Sequence, residues 1–129
     1  MILAAPPKAS PELLTVQWFK DEDWPVVDQC NGGVNTRYSR DFMGIIDVLA
    51  MLPSIDLDTT VVAVQSTSAA HVSERVKKIA ESEGIERLRR ADVKVLVHGW
   101  SRVPKTKLAK MDPPPKGMVW WQCRVVDVS

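Results

Sequence analysis

The stretch from Asp41 to Trp100 limits what this chain can fold into more than any other. It runs Asp41-Phe-Met-Gly-Ile-Ile-Asp47-Val-Leu-Ala-Met-Leu, then a turn, then Val61-Val-Ala-Val-Gln65-Ser-Thr67-Ser68. Short apolar runs rich in β-branched residues read as buried strands. From His71 to Ala91 the pattern changes. Val72, Val76, Ile79 and Ala80 recur at helical spacing, which marks one apolar face of a basic amphipathic helix. Gly84 reads as its C-terminal stop, and Ile85, Leu88 and Ala91 extend a second short helix. Val93-Lys-Val-Leu-Val-His98-Gly-Trp100 then returns to strand pattern. The order strand, strand, helix, strand predicts an α/β (α+β) fold, a small mixed β-sheet flanked by helices.

Two polar residues stand out within the apolar runs. Asp47 has Ile45, Ile46, Val48 and Leu49 around it. An ionised carboxylate there is costly unless it meets a cation, strong donors or water at the strand end. Gln65 poses the same question where the second strand gives way to a helix. If the two strands pair as a hairpin, Asp47 and Gln65 lie side by side near its open end. A carboxylate oxygen and an amide oxygen both ligate Mg²⁺ or Mn²⁺. Thr67 lies two residues on and leaves the same face as Gln65. Each residue also has a plainer reading. Asp47 pairs with Arg37 or Arg40 in one of them, Gln65 caps the following helix as a strand-end amide, and the hydroxyls of Ser66, Thr67 and Ser68 are natural N-caps for it. His71 faces solvent in the first helical turn, and His98 packs at a strand end.

With these pieces in place, the chain resembles the PD-(D/E)XK (restriction-endonuclease-like) nuclease superfamily, in the degenerate form of its phage and mobile-element members. The likeness covers roughly Trp24 to Trp100. Asp41-Phe-Met-Gly-Ile-Ile-Asp47 matches the first acidic motif, and Val61-Val-Ala-Val-Gln65-Ser-Thr67 matches the second. The resemblance implies a restriction-endonuclease-like core and a divalent-metal endodeoxyribonuclease using Mg²⁺ or Mn²⁺. Asp47 would be the first metal ligand and Asp41 a second candidate carboxylate. Gln65 stands where the family carries Glu or Asp, and Thr67 where it carries Lys. A hydroxyl supplies no positive charge, so Lys77, Lys78 or Arg75 would have to reach in from the helix. Arg37, Arg40 and His71 would add charge near the phosphate. In such a site the metal lowers the pKa of a bound water and stabilises the charge of the transition state. The alternative is the same fold kept as a non-catalytic DNA-binding or protein-interaction module.

Charge bears on the partner. The net charge of +1 hides a division. Residues 1–70 carry four Lys/Arg and nine Asp/Glu, a net of −5, and residues 71–129 carry thirteen and seven, a net of +6. Either a basic face meets a polyanion such as DNA, or the two halves attract each other within the fold. The five tryptophans either stack on bases or close a small core. Two cysteines, Cys30 and Cys123, make neither a disulfide framework nor a zinc motif.

At 129 residues one domain is expected, with a modest core. Residues 1–10 read as a loose tail and Glu12–Phe19 as a strand or one or two helical turns. Trp24–Cys30 reads as an extended edge before the turn at Asn31-Gly32-Gly33. Residues 101–117 read as a long exposed basic loop, and Met118–Val128 as a closing strand. No apolar run spans a bilayer and the first residues lack a signal-peptide pattern. A cytoplasmic protein with no membrane partner and no small-molecule cofactor is expected. A homodimer is compatible with cutting both strands.

Overall fold

The computed structural model describes residues 1–30, 44–53 and 59–129. The elements are β1 (Ile2–Ala5), α1 (Pro11–Asp21), β2 (Val26–Gln29), β3 (Val48–Pro53), β4 (Thr59–Ser68), a 3-10 turn (Ala69–His71), α2 (Val72–Ala80), α3 (Glu83–Arg90), β5 (Lys94–Arg102), α4 (Lys105–Leu108) and β6 (Val119–Asp127). One six-stranded mixed sheet takes the order β1-β6-β5-β4-β3-β2. β4 and β5 are parallel, with Gln65 opposite Val97 and Thr67 opposite Gly99. All other neighbours are antiparallel. The mixed α+β class expected from the sequence is the one observed.

The period-two rule sorts the side chains. Val62 and Val64 of β4 join Phe19, Val48 and Ala50 in a core under α1. Ala63 of β4 and Val95 and Val97 of β5 face the other way, into a core with Val72, Ile79, Ile85 and Leu88. The central strands therefore bury both faces, which is why they read as unbroken apolar runs.

The helix ends follow ordinary capping chemistry. The Ser10 side chain accepts the Leu13 N–H at 3.3 Å, and Pro11 opens α1, where a missing N–H costs nothing. At its C-terminus Asp23 takes φ 60°, Asp23 N–H donates to Lys20 C=O and Trp24 N–H to Phe19 C=O. α3 ends the same way, with Asp92 at φ 57° and bonds from Asp92 to Arg89 and from Val93 to Leu88. Both are Schellman endings with aspartate in the left-handed position usually given to glycine.

Several expectations change. Residues 1–10 are not a loose tail: Ile2–Ala5 pairs with β6, and Leu3 and Ala5 are buried in the core under α1. The segment 101–117 is only partly loop. Ser101 and Arg102 finish β5, Val103 is buried, and Lys105–Leu108 makes one helical turn. The Trp120 Nε1–H donates to Asp112 C=O at 2.8 Å, which ties the proline run to β6. Ser66 and Thr67 belong to β4 and cap no helix. Gly84 lies in the first turn of α3, its N–H donating to Ser82 Oγ, so it does not stop α2.

Gly99 is where the crossover meets the sheet. A Cβ there would lie 2.2 Å from Val72 Cγ2 and 3.2 Å from the Ala69 Cα. Val72 is β-branched in a helix and has little rotamer freedom to yield. Gly99→Ala is expected to cost about 1–3 kcal/mol in urea unfolding, and Val72→Ala in the same chain should restore part of that loss.

Candidate functional site

Asp47 lies just outside β3, after Gly44 in a positive-φ conformation and the buried pair Ile45 and Ile46. Its backbone extends the sheet on both sides. The Asp47 N–H donates to Val64 C=O at 2.9 Å and its C=O accepts from the Cys30 N–H at 2.7 Å. The side chain then turns over β4. Oδ2 accepts the Ser66 N–H at 2.8 Å and the Gln65 Nε2–H at 2.7 Å. Asp47 is 3% exposed and Gln65 2%. The carboxylate meets a backbone donor that β3, whose pairing with β4 starts at Val48 opposite Val64, does not reach. These are not all of Asp47's interactions.

The sequence reading expected Asp47 and Gln65 to be adjacent, and they are. The polarity of the contact is different from the expected one. The amide turns its N–H to the carboxylate, and Gln65 Oε1 is left buried with no hydrogen-bond partner. A shared metal would need both oxygens directed at one point. Among the described residues no three His, Cys, Asp or Glu side chains come together. Asp47 and Gln65 as placed do not fit Mg²⁺ or Mn²⁺ without further oxygens, and no step is routed through a metal here.

The remaining candidates are dispersed. Thr67 is buried on β4 opposite Gly99. Lys77 and Lys78 are exposed on α2 and Arg75 is half-buried. None of the three makes an ion pair among the described residues. His71 is exposed, with Nδ1 3.1 Å from Glu74 Oε2. Arg37, Arg40 and Asp41 lie outside the described residues.

A second polar cluster lies on the α1 side of the sheet. Thr15 Oγ1 is 2.7 Å from Ser66 Oγ and 3.1 Å from His98 Nδ1, and it accepts the Trp100 Nε1–H at 3.0 Å. Trp100 uses one lone pair of the hydroxyl. The Thr15 O–H then donates to one of the other two partners and accepts from the remaining one, so the hydroxyl is fully used. The imidazole stacks on Phe19 and meets the edges of Trp18 and Trp100. Burial pushes its pKa down to about 4, so the ring is neutral at pH 7. Ser66 belongs to both clusters, through its N–H on Asp47 and its hydroxyl on Thr15. The sequence reading took Ser66 for a helix cap and left Thr15 in an ambiguous segment. The one available signal was a hydroxyl inside the apolar run Leu13–Phe19. Burial also pushes the Cys123 thiol up to about 12, so it is not a ready nucleophile.

Comparisons with protein-family models, with curated proteins and with solved structures found no match in any of the three.

Two outcomes follow from these clusters. The folded pKa of His98 lies below its unfolded value of 6.5, so the unfolded chain binds the proton first as pH falls. Stability should therefore decline by up to about 3 kcal/mol between pH 6.5 and about 4, measured by urea unfolding at stepped pH. His98→Gln should flatten that profile in the same window. For the other cluster, Gln65→Glu replaces a donor to Asp47 with a second carboxylate. It should cost about 2–4 kcal/mol without metal. Millimolar Mn²⁺ should then raise the melting temperature of the variant through linkage and leave that of the parent chain unchanged.

Proposed function

We propose that this chain is a non-catalytic DNA-binding module built on a restriction-endonuclease-like core. The order β3, β4, helix, β5 around Asp47 and Gln65 supports that core. The observation that carries the binding reading is the basic stretch that ends β5 and follows it. Arg102, Lys105, Lys107, Lys110 and Lys116 are all exposed, with Asp112 the one acid among residues 102–116. None of the five enters an ion pair among the described residues. Arg102 is held in place: its Nη2 donates to Pro7 C=O at 2.9 Å and its guanidinium lies 4.8 Å from the Trp121 ring centroid. Uncompensated cations on one segment favour a polyanion, because each phosphate contact releases counterions.

The carboxylate supports the non-catalytic half of the reading. Asp47 Oδ2 takes the Ser66 N–H and the Gln65 amide N–H. Thr67 stands where the resembled family carries the lysine that would hold an attacking water, and Lys77 is exposed on α2 with no ion pair among the described residues. In this reading Asp47 closes an irregular strand entry.

Binding to labelled duplex and single-stranded DNA, followed by fluorescence anisotropy from about 50 to 200 mM salt, tests this. If three to five phosphates are met on duplex DNA, log K against log salt should slope by about −3 to −4.5. No cleavage should occur in Mg²⁺ or Mn²⁺. Metal-dependent cleavage that Asp47→Asn removes would replace this reading with the divalent-metal nuclease. Absence of binding to either DNA would end the nucleic-acid reading.

A further inference from the structure

On the face of the sheet that carries α2, the helices cover β4 and β5 but leave part of β6 and β1 open. Side chains opposite one another in an antiparallel pair share a face. Ser101 lies opposite Gln122, Gly99 opposite Arg124, and Ile2 opposite Gln122. Ile2, Ser101, Gln122 and Arg124 floor a cleft of about 420 Å³, walled by Ala69 of the 3-10 turn and by Lys107 of α4. That volume lies within the range of small-ligand sites, roughly 300–1,000 Å³. Gly99 helps to shape it, since its bare Cα lets the turn at Ala69 settle against the sheet.

The lining is one-signed. Lys107 and Arg124 both face the cleft, and no aspartate or glutamate lines it. Neither cation has an ion-pair partner among the described residues. The Gln122 side-chain amide lies 3.4 Å from Ser101 Oγ, so the lining also holds an amide and a hydroxyl beside the two charged groups. A guanidinium, an ammonium, an amide N–H and a hydroxyl converging on one hollow make a donor set for an oxyanion. Charge-assisted bonds of this kind suit phosphate oxygens, the guanidinium binding through two N–H groups and the ammonium as a point charge.

We propose that this cleft binds a phosphoryl group carried by a nucleotide, with Lys107 and Arg124 as the charged donors and Ser101 and Gln122 as the neutral ones. The inference rests on the nucleic-acid reading for its natural ligand, a strand whose phosphate enters the cleft while the basic segment follows the neighbouring phosphates. Inorganic phosphate shares the chemistry, and the test separates the sources.

The test uses the full chain and three probes: inorganic phosphate, thymidine 5′-monophosphate and a labelled single strand of DNA. Amide and side-chain NMR shifts report where the small probes bind, and anisotropy reports the strand. Thymidine 5′-monophosphate should shift Ser101, Gln122 and Arg124 in a saturable way. Lys107→Gln with Arg124→Gln should weaken it by about ten-fold or more and make the salt slope for the strand shallower by about 0.7. Arg124→Lys, which keeps the charge, should retain most of the affinity and guards against a folding artefact. Lys8→Gln with Lys20→Gln, an equal loss of charge elsewhere on the surface, should leave the nucleotide affinity unchanged. Equal responses to inorganic phosphate and nucleotide would support the cleft and assign it to the phosphate alone. Equal weakening by both charge-removing pairs, or DNA binding with no shifts in the cleft, would overturn the proposal and leave the DNA-binding reading intact. Nucleotide binding without DNA binding would support the cleft and sink that reading.

Discussion

The parallel pairing of β4 with β5 is the constraint on which the other elements depend. Parallel neighbours cannot be joined by a tight turn and need a crossover of a dozen or more residues. The segment from Ala69 to Asp92 supplies it as a 3-10 turn and two short helices. That crossover covers one face of the pair. The other face is as apolar and must also be removed from water, which is the work of α1 and Phe19. The antiparallel strands then add outward from this centre, β3 and β2 on one side and β6 and β1 on the other. At Gly99 the crossover comes so close that a single methyl group has no room. One residue without a side chain thus sets how near the second layer lies to the sheet.

The parts of this arrangement that were legible in the sequence are those with a strong local period. β4 and β5 are legible as short apolar runs, β6 as a closing strand and the apolar stripe of α2 from its helical spacing. α1 was ambiguous because Thr15 and Trp18 fall within its buried side and blur the pattern. β1 was invisible for a different reason. Ile2–Ala5 becomes a strand because β6 has a free edge to pair with, and that edge lies more than a hundred residues away in sequence. No local signal reports a distant vacancy. The ends of α1 and α3 carry no glycine signal, because they use Asp23 and Asp92 at positive φ. Gly84, the residue that looked like a terminator, begins a helix instead.

The candidate site was legible as a neighbourhood and not as a set of bonds. Strand alternation and the hairpin between β3 and β4 were enough to place Asp47 beside Gln65. Nothing in a sequence states which end of an amide faces a carboxylate, and that choice decides between a chelate and a hydrogen-bonded pair. Here the N–H faces in. The Ser66 N–H adds a second donor, so one carboxylate oxygen completes a sheet edge that a backbone carbonyl would ordinarily complete. The Thr15, Ser66 and His98 cluster was hidden by range. Its members are 51 and 83 residues apart, and only the seating of α1 on the sheet brings them together. A neutral histidine ring in that place keeps its hydrogen bond to Thr15 without a charge to desolvate.

Charge shows how the two halves of the chain relate. An acidic first half and a basic second half would be unremarkable if they neutralised each other across the fold. The three ion pairs among the described residues, His71–Glu74, Arg90–Glu86 and Lys94–Asp127, all lie within the basic half. They consume its own acids. The cations that remain after this pairing include Arg102 at the end of β5, Lys105, Lys107, Lys110 and Lys116 after it, and Arg124 on β6. Exposed like charges close together along the chain repel one another unless counterions or a ligand intervene. Folding leaves this cost in place because the acids that could relieve it are spent locally or placed elsewhere. A phosphate chain relieves it directly, and that complementarity is why the exposed cations at and after the end of β5 are proposed as the binding surface, with the buried Asp47 a part of the sheet edge.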